Sequence, residues 1–409
     1  MKTGNSPSVV RLVTIHSLFW LWSANLVGVW LAAVLLWPAL GDLVAPLTYG
    51  RWMPLHLNWQ LYGWCSLPLV GVLLYWCLDE RHGGARVHAR IALGAWSLAL
   101  ILGGASWLGG LSSGKPFLDW RGWARGLLPA AMIVLWTVLA AHTWWRRNSL
   151  GTPGRILRIG ILLALAVVPP ALFLSSGPDI YPAVNPDSGG ATGAALLGST
   201  LGVVTVFGLL PVMLARKSTT TVSWFWGALA LSWGIFAALD HGSTSHHSVQ
   251  QIAGLGLLLG WIPLLIIYWR KFDWPVDARR WLVAGMGWWL LLVATGWLTF
   301  LPGISERLKF TNGLVAHTHL AMAGLVTSVN AAILHTLGGG WKRDGSFWLW
   351  QGGCVVYVAL MMTLGFQESE NAGALFRSEA WTQFYYTGRL ISGLAMTFAS
   401  GRWFWEALK

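Results

Sequence analysis

Charged side chains are scarce in this chain. They make up only 10% of its 409 residues, whereas a soluble protein needs roughly 25% to cover its surface. The shortage excludes a soluble globular fold, and the chain is instead 55% hydrophobic with 31 Trp. Its apolar stretches show no amphipathic period and are apolar all round, as helices in contact with lipid are. We therefore expect an all-α, polytopic membrane protein.

Cysteine is nearly absent as well. The three cysteines form neither a CxxC nor a CxxCH motif, so disulfide frameworks, thiolate metal sites and covalently attached c-type heme are unsupported. The first apolar run, 12–40, is too long for the apolar core of a signal peptide and is followed by no small-residue cleavage site. We expect it to be a retained span and expect no soluble domain beside the membrane part.

Apolar runs long enough to cross a bilayer recur along the whole chain. A membrane-spanning helix needs about 20 mostly apolar residues. The sequence predicts twelve such helices in one transmembrane domain, 1–409: 12–37, 52–78, 87–112, 127–144, 156–176, 190–215, 221–239, 250–269, 281–301, 312–337, 346–367 and 381–405.

The net charge of +12 is explained by topology. With the N-terminus inside, 19 of the 27 Lys and Arg residues fall in inner segments and 7 in outer segments. This asymmetry follows the positive-inside rule and predicts that both termini are cytoplasmic. We therefore expect a multi-pass protein of a bacterial inner membrane, surrounded by lipid, and no nucleic-acid partner.

Ionisable residues inside a bilayer are functional candidates because they are costly there. All fifteen carboxylates fall in loops or at span ends, which weakens the interpretation as an ion-coupled transporter. Arg389 is the arginine left inside a span. Five histidines, which we expect to be interfacial or in loops, lie toward the inner side: His16, His82, His88, His142 and His335. Six lie near the outer side: His56, His241, His246, His247, His317 and His319.

Three of the outer histidines fall at a similar depth, one to two helical turns below the outer boundary. His317 and His319 are two positions apart, and on a helix they point about 200° apart. They cannot ligate one metal from one helix, but they can serve two different sites on opposite sides of it. His56, on another helix, can complete one of these sites. This geometry suits a bis-histidine heme beside a heme with one histidine ligand, or else three structural histidines that bond to neighbouring helices.

The motifs around these histidines resemble those of subunit I of the heme–copper oxidases, most closely the cbb3-type cytochrome c oxidases. The resemblance rests on Met53-Pro-Leu-His-Leu-Asn in the second span, Ala316-His-Thr-His-Leu-Ala-Met-Ala-Gly in the tenth and Phe384-Tyr-Tyr-Thr-Gly-Arg-Leu-Ile-Ser-Gly-Leu in the last. It implies that His56 and His319 hold a low-spin heme and that His317 holds a high-spin heme. Arg389, at nearly the same depth, is then expected to pair with a heme propionate.

The chain departs from this family at the copper B site. The sixth span has no histidine, and the seventh ends in Asp240-His241 with no tyrosine two turns earlier. A metal site could be rebuilt from Asp240, His241, His246 and His247; a polar outer loop is the alternative. Because the usual nitrogen donors are missing, we expect copper B to be absent.

These features together predict a divergent cbb3-like protein with two b-type hemes near the outer face. Electrons would come from a periplasmic c-type cytochrome, or from cytochrome subunits of a larger complex, and pass to a high-spin heme that binds O2 or NO. One alternative is a functional terminal oxidase or nitric oxide reductase with relocated metal ligands. Another is a transporter or assembly protein without redox chemistry.

Overall fold

The computed structural model describes residues 9–79, 84–217, 222–342, 344–371 and 379–409, and His82 lies outside these ranges. The described residues are mostly helical with almost no strand, which confirms the all-α expectation. Strands are limited there to β1 (Arg216–Lys217) and β2 (Phe272–Asp273), which pair antiparallel. Helical structure suits a lipid environment because each helix satisfies its own backbone hydrogen bonds.

The chain divides into two compact units. The first consists of Met1–Tyr181, Leu337–Ser346 and Gly393–Lys409, and the second of Pro182–Thr336 and Phe347–Ser392. The helices up to residue 181 are α1 (Val9–Leu36), α2 (Ala39–Leu43), α3 (Tyr49–Asn58), α4 (Leu67–Cys77), α5 (Ala85–Leu108), α6 (Leu127–Trp145) and α7 (Thr152–Ser175). Those that follow are α8 (Gly193–Leu214), α9 (Ser223–Ala238), α10 (Val249–Trp269), α11 (Val276–Leu298), α12 (Ser305–Leu308), α13 (Asn312–His319), α14 (Thr327–Thr336), α15 (Ser346–Glu370) and α16 (Ala380–Leu408).

Eight of the twelve predicted spans coincide with helices long and apolar enough to cross a membrane: α1, α5, α6 (with the 3-10 turn Gly122–Gly126 before it), α7, α8, α10, α11 and α15. The chain is therefore a multi-pass membrane protein. The span predicted at 221–239 corresponds to the shorter apolar helix α9. The count of twelve, the inner and outer sides, and a single domain stay predictions.

The second and tenth predicted spans are interrupted helices. A π-helical segment, Trp59–Cys65, joins α3 to the residue before α4, and another, Leu320–Val326, joins α13 directly to α14. In a π-helix each backbone N–H bonds to the carbonyl oxygen five residues earlier, instead of four, which shifts the register of the helix; such segments are frequent at functional sites. The two π-helical segments begin three residues after His56 and one residue after His319, both of which are predicted heme ligands.

Tryptophan fills the interior of both units. Trp64 and Trp107 are fully buried in the first unit, as are Trp261 and Trp289 in the second. Their size lets neighbouring helices bury large aromatic surfaces, and a buried indole N–H requires an acceptor. The N–H of Trp107 donates to Asp119 O at 2.9 Å and that of Trp289 to Trp261 O at 3.0 Å.

Helix α7 exposes most of its apolar side chains instead of burying them. It is one of the most apolar helices, yet only 11% of its most apolar window is buried inside the protein. Ile156, Leu163 and Val167 are each more than 60% exposed. Water would penalise this surface, whereas lipid would not. The exposed side of α7 is therefore lipid-facing.

Candidate functional site

His56 is held on α3 by a contact with α1. Its Nδ1 lies 2.8 Å from Ala24 O. Because a carbonyl oxygen only accepts hydrogen bonds, Nδ1 carries the ring proton and Nε2 carries the lone pair. Gly28, one turn further along α1, makes room for the ring, since a Cβ there would lie 2.7 Å from His56 Cε1.

His319, the last residue of α13, has the same tautomer. Its Nδ1 donates to Val315 O, one turn earlier in the same helix, at 2.8 Å. The ring stacks on Tyr357 of α15, with centroids 4.2 Å apart and planes 25° apart. The hydrogen bond and the stack together fix the plane of the imidazole.

His317 faces α11. Its Nδ1 lies 3.3 Å from Thr295 Oγ1, and that hydroxyl donates its own proton to Leu291 O at 2.6 Å. With its proton committed, Oγ1 accepts from His317, so Nδ1 again carries the hydrogen and Nε2 the lone pair. Gly296 lies under the ring, where a Cβ would be 3.3 Å from His317 Cε1.

His56, His317 and His319 therefore have the same tautomer. Each donates Nδ1–H to an oxygen, which is the arrangement that orients metal-ligating histidines and leaves Nε2 to bind the metal. This donor set fits heme iron. His56 belongs to the first unit and His317 and His319 to the second. The shared heme of His56 and His319 stays a prediction.

Arg389 lies on α16 near the surroundings of His319. Its guanidinium carbon is 5.7 Å from the centroid of Tyr357, the residue on which His319 stacks. One aromatic ring thus contacts both a predicted iron ligand and the predicted propionate partner. Sequence analysis missed Tyr357, because nothing in its local pattern distinguishes it from other aromatic residues of an apolar helix.

Each π-helical segment contains a glycine pressed against a tryptophan. A Cβ at Gly63 would lie 2.5 Å from Trp20 Cβ on α1, and one at Gly324 would lie 2.5 Å from Trp288 Cδ2 on α11. Only a residue without a side chain permits such an approach. These contacts seat the helices that carry His56 and His319 against their neighbours.

The four residues considered for a rebuilt metal site do not gather in one place. Asp240 Oδ1 accepts the N–H of Gly242 at 2.8 Å. His241 packs edge-on against Phe236, with ring centroids 4.7 Å apart, and lines a cavity of about 350 Å³ with Trp233 and Phe236. His246 instead contacts Asn185 and Glu306, and His247 contacts Glu306.

His246 is completely buried between loops at the predicted outer end of the second unit. Its Nε2 lies 2.7 Å from Glu306 Oε1, and its Nδ1 lies 2.6 Å from Asn185 Nδ2. Asn185 Oδ1 accepts the N–H of Asp187 at 3.0 Å, so its Nδ2 is the group that donates to His246. His246 therefore has the opposite tautomer to the three predicted iron ligands.

Glu306 joins the two neighbouring histidines. Its Oε1 is also 3.1 Å from His247 Nε2, and its Oε2 accepts the N–H of Gly303 at 2.6 Å. Burial acts to raise the pKa of Glu306, but hydrogen bonds from the backbone and from His246 outweigh it and lower this pKa to about 2. Glu306 is therefore ionised at neutral pH.

Sequence analysis missed Asn185, Asp187 and Glu306, which lie about 60 residues from His246 on either side. The usable signal was the rarity of carboxylates: the chain has only fifteen, and Asp187 and Glu306 both fall in predicted outer loops. A comparison with models of known protein families found no match, and a comparison with curated protein sequences found no significant match.

Proposed function

We propose that this chain is a membrane heme protein related to subunit I of the heme–copper oxidases, most like the cbb3 type. The observation that carries the proposal is the common tautomer of His56, His317 and His319. Each donates Nδ1–H to an oxygen of its surroundings, so each offers Nε2 to a metal. The motifs that contain these histidines are the ones that resemble the family.

His56 and His319 would hold the low-spin heme, and His317 the high-spin heme. Heme iron supplies one-electron transfer and, where one axial position is open, binding of O2 or NO. The protein's own contribution is orientation: Ala24 O, Val315 O and Thr295 Oγ1 fix the three rings, and Tyr357 stacks on His319. Arg389 would pair with a heme propionate through its two-pronged guanidinium.

Electrons would enter from a periplasmic c-type cytochrome or from cytochrome subunits, because the sequence has no CxxCH for a c-type heme of its own. Copper B would be absent. A tightly held copper needs about three converging nitrogen donors, and the sixth span offers none. The described contacts of His241 and of His246 lead to different partners. Gas binding without rapid oxygen reduction is the activity that we propose.

The ligand assignment can be tested by absorbance spectroscopy of the purified protein. His56→Ala and His319→Ala should each abolish the sharp low-spin α-band of the reduced protein, because a bis-histidine heme cannot form with one ligand missing. His317→Ala should keep that band and lose the spectral change on adding carbon monoxide. His335→Ala, a histidine of α14 outside the proposed ligand set, is the control and should change neither. A normal low-spin band without His56 would refute the assignment.

A further inference from the structure

Two carboxylates and two imidazoles converge at the predicted outer end of the second unit. They come from three loops: Asp187 precedes α8, His246 and His247 precede α10, and Glu306 lies in α12. His246 is fully buried, whereas the His247 side chain is 57% exposed. The cluster is thus anchored on one side and open to solvent on the other, which gives an ion a route of entry.

The distances match those of a site for a transition metal. The Nε2 atoms of His246 and His247 lie 2.7 Å and 3.1 Å from Glu306 Oε1. Neighbouring ligands of a tetrahedral zinc ion, with bonds of about 2.0–2.1 Å, lie about 3.3–3.4 Å apart. A small expansion would therefore let an ion replace the imidazole protons. Asp187 also lies in this group, since its ligand atom is within 4.8 Å of those of His246 and His247. Its carboxylate is on the other side of the His246 ring, 3.9 Å from Nδ1.

The charge of the cluster also suits a divalent cation. With both histidines neutral, the carboxylates of Asp187 and Glu306 give the cluster two negative charges, which a divalent cation neutralises. Imidazole nitrogen disfavours Ca²⁺ and Mg²⁺, which prefer all-oxygen ligands, and suits Zn²⁺ and its neighbours.

We propose that Glu306, His246 and His247 bind a divalent transition metal ion, best matched by Zn²⁺, and that Asp187 is an outer partner beside His246 Nδ1. The ion ties together the three loops over the predicted outer end of the second unit. Binding at His246 Nε2 places the ring proton on Nδ1, so the Asn185 amide turns its oxygen toward the ring. The site uses none of the residues proposed to bind the hemes.

The test uses the full-length protein in detergent, treated with a chelator and titrated with Zn²⁺ alone. Zinc content and affinity are compared in wild type, His247→Ala, Asp187→Asn and His241→Ala. His241 is an outer-loop histidine whose described contacts lie outside the cluster, so its variant is the matched control. His247 and Asp187 are partly exposed, so their substitution leaves the buried His246 and the fold in place.

We expect one Zn²⁺ per wild-type chain. Affinity should fall at least about 10-fold in His247→Ala and Asp187→Asn, the loss that follows removal of even an outer partner in metal sites. His241→Ala should bind as wild type does, and the heme spectrum of all four proteins should be the same. Absence of zinc binding by the wild type would overturn the proposal. So would binding that persists unchanged in both cluster variants, or that falls equally in His241→Ala.

Discussion

An imidazole binds iron only through a nitrogen that holds a lone pair, and hydrogen bonds decide which nitrogen that is. Carbonyl oxygens accept from His56 and His319 at 2.8 Å each, whereas a hydroxyl accepts from His317 at 3.3 Å. The shorter bonds constrain their rings more firmly.

The proposed pairing of Arg389 with a heme propionate can be tested by substitution. Arg389→Leu should lower heme content or lower the midpoint potential of the low-spin heme, because an unpaired propionate stabilises the oxidised iron. Arg389→Lys keeps the charge and should show a smaller change. Redox titration of the purified protein measures both effects.

Arg402→Leu provides the control for this experiment. It removes a charge from the same helix, where Arg402 pairs with Asp344 at 2.8 Å, and should leave the heme unchanged. Wild-type heme content and potentials in Arg389→Leu would favour an arginine that merely extends to the outer interface.

At the scale of elements, hydropathy predicted the eight long apolar helices because lipid constrains composition along a whole helix. It could not predict the two π-helical segments, since their register depends on contacts with other helices, such as Gly63 with Trp20 and Gly324 with Trp288. The histidine motifs did indicate both places. In each case the π-segment begins within three residues of a predicted ligand, His56 or His319.

The approach of α1 to α3 at Gly28 can be tested by substitution. Gly28→Ala places a methyl group 2.7 Å from His56 Cε1, and such overpacking costs about 1–3 kcal/mol. Improved helix propensity offsets at most about 1 kcal/mol of this cost. We therefore expect a lower melting temperature and a weakened low-spin α-band.

Gly94→Ala in α5 is the matched control, because a Cβ there meets nothing within 4 Å. It should keep the band and be neutral or slightly stabilising. A Gly28→Ala protein with the stability and spectrum of Gly94→Ala would contradict the packing argument.

At the scale of the whole molecule, composition predicted a multi-pass membrane protein because too few charged residues exist to cover a soluble surface. Composition could not predict the outer cluster. His246 reaches Asn185 and Glu306 through long-range contacts between loops, and local periodicity carries no information on such contacts. For the same reason, sequence proximity alone predicts one site for Asp240, His241, His246 and His247, although the described contacts of His241 and His246 are with different residues.

The heme and metal content of the purified protein tests the central claim most directly. Heme extraction and elemental analysis of the same sample would give heme type, iron and copper per chain. The proposal predicts two b-type hemes, two irons and well under one copper, because the histidine donors suffice for heme iron and not for copper B. A protein that contains no heme iron when expressed with an ample heme supply would contradict it. One stoichiometric copper coupled magnetically to a high-spin heme would instead restore an intact oxidase.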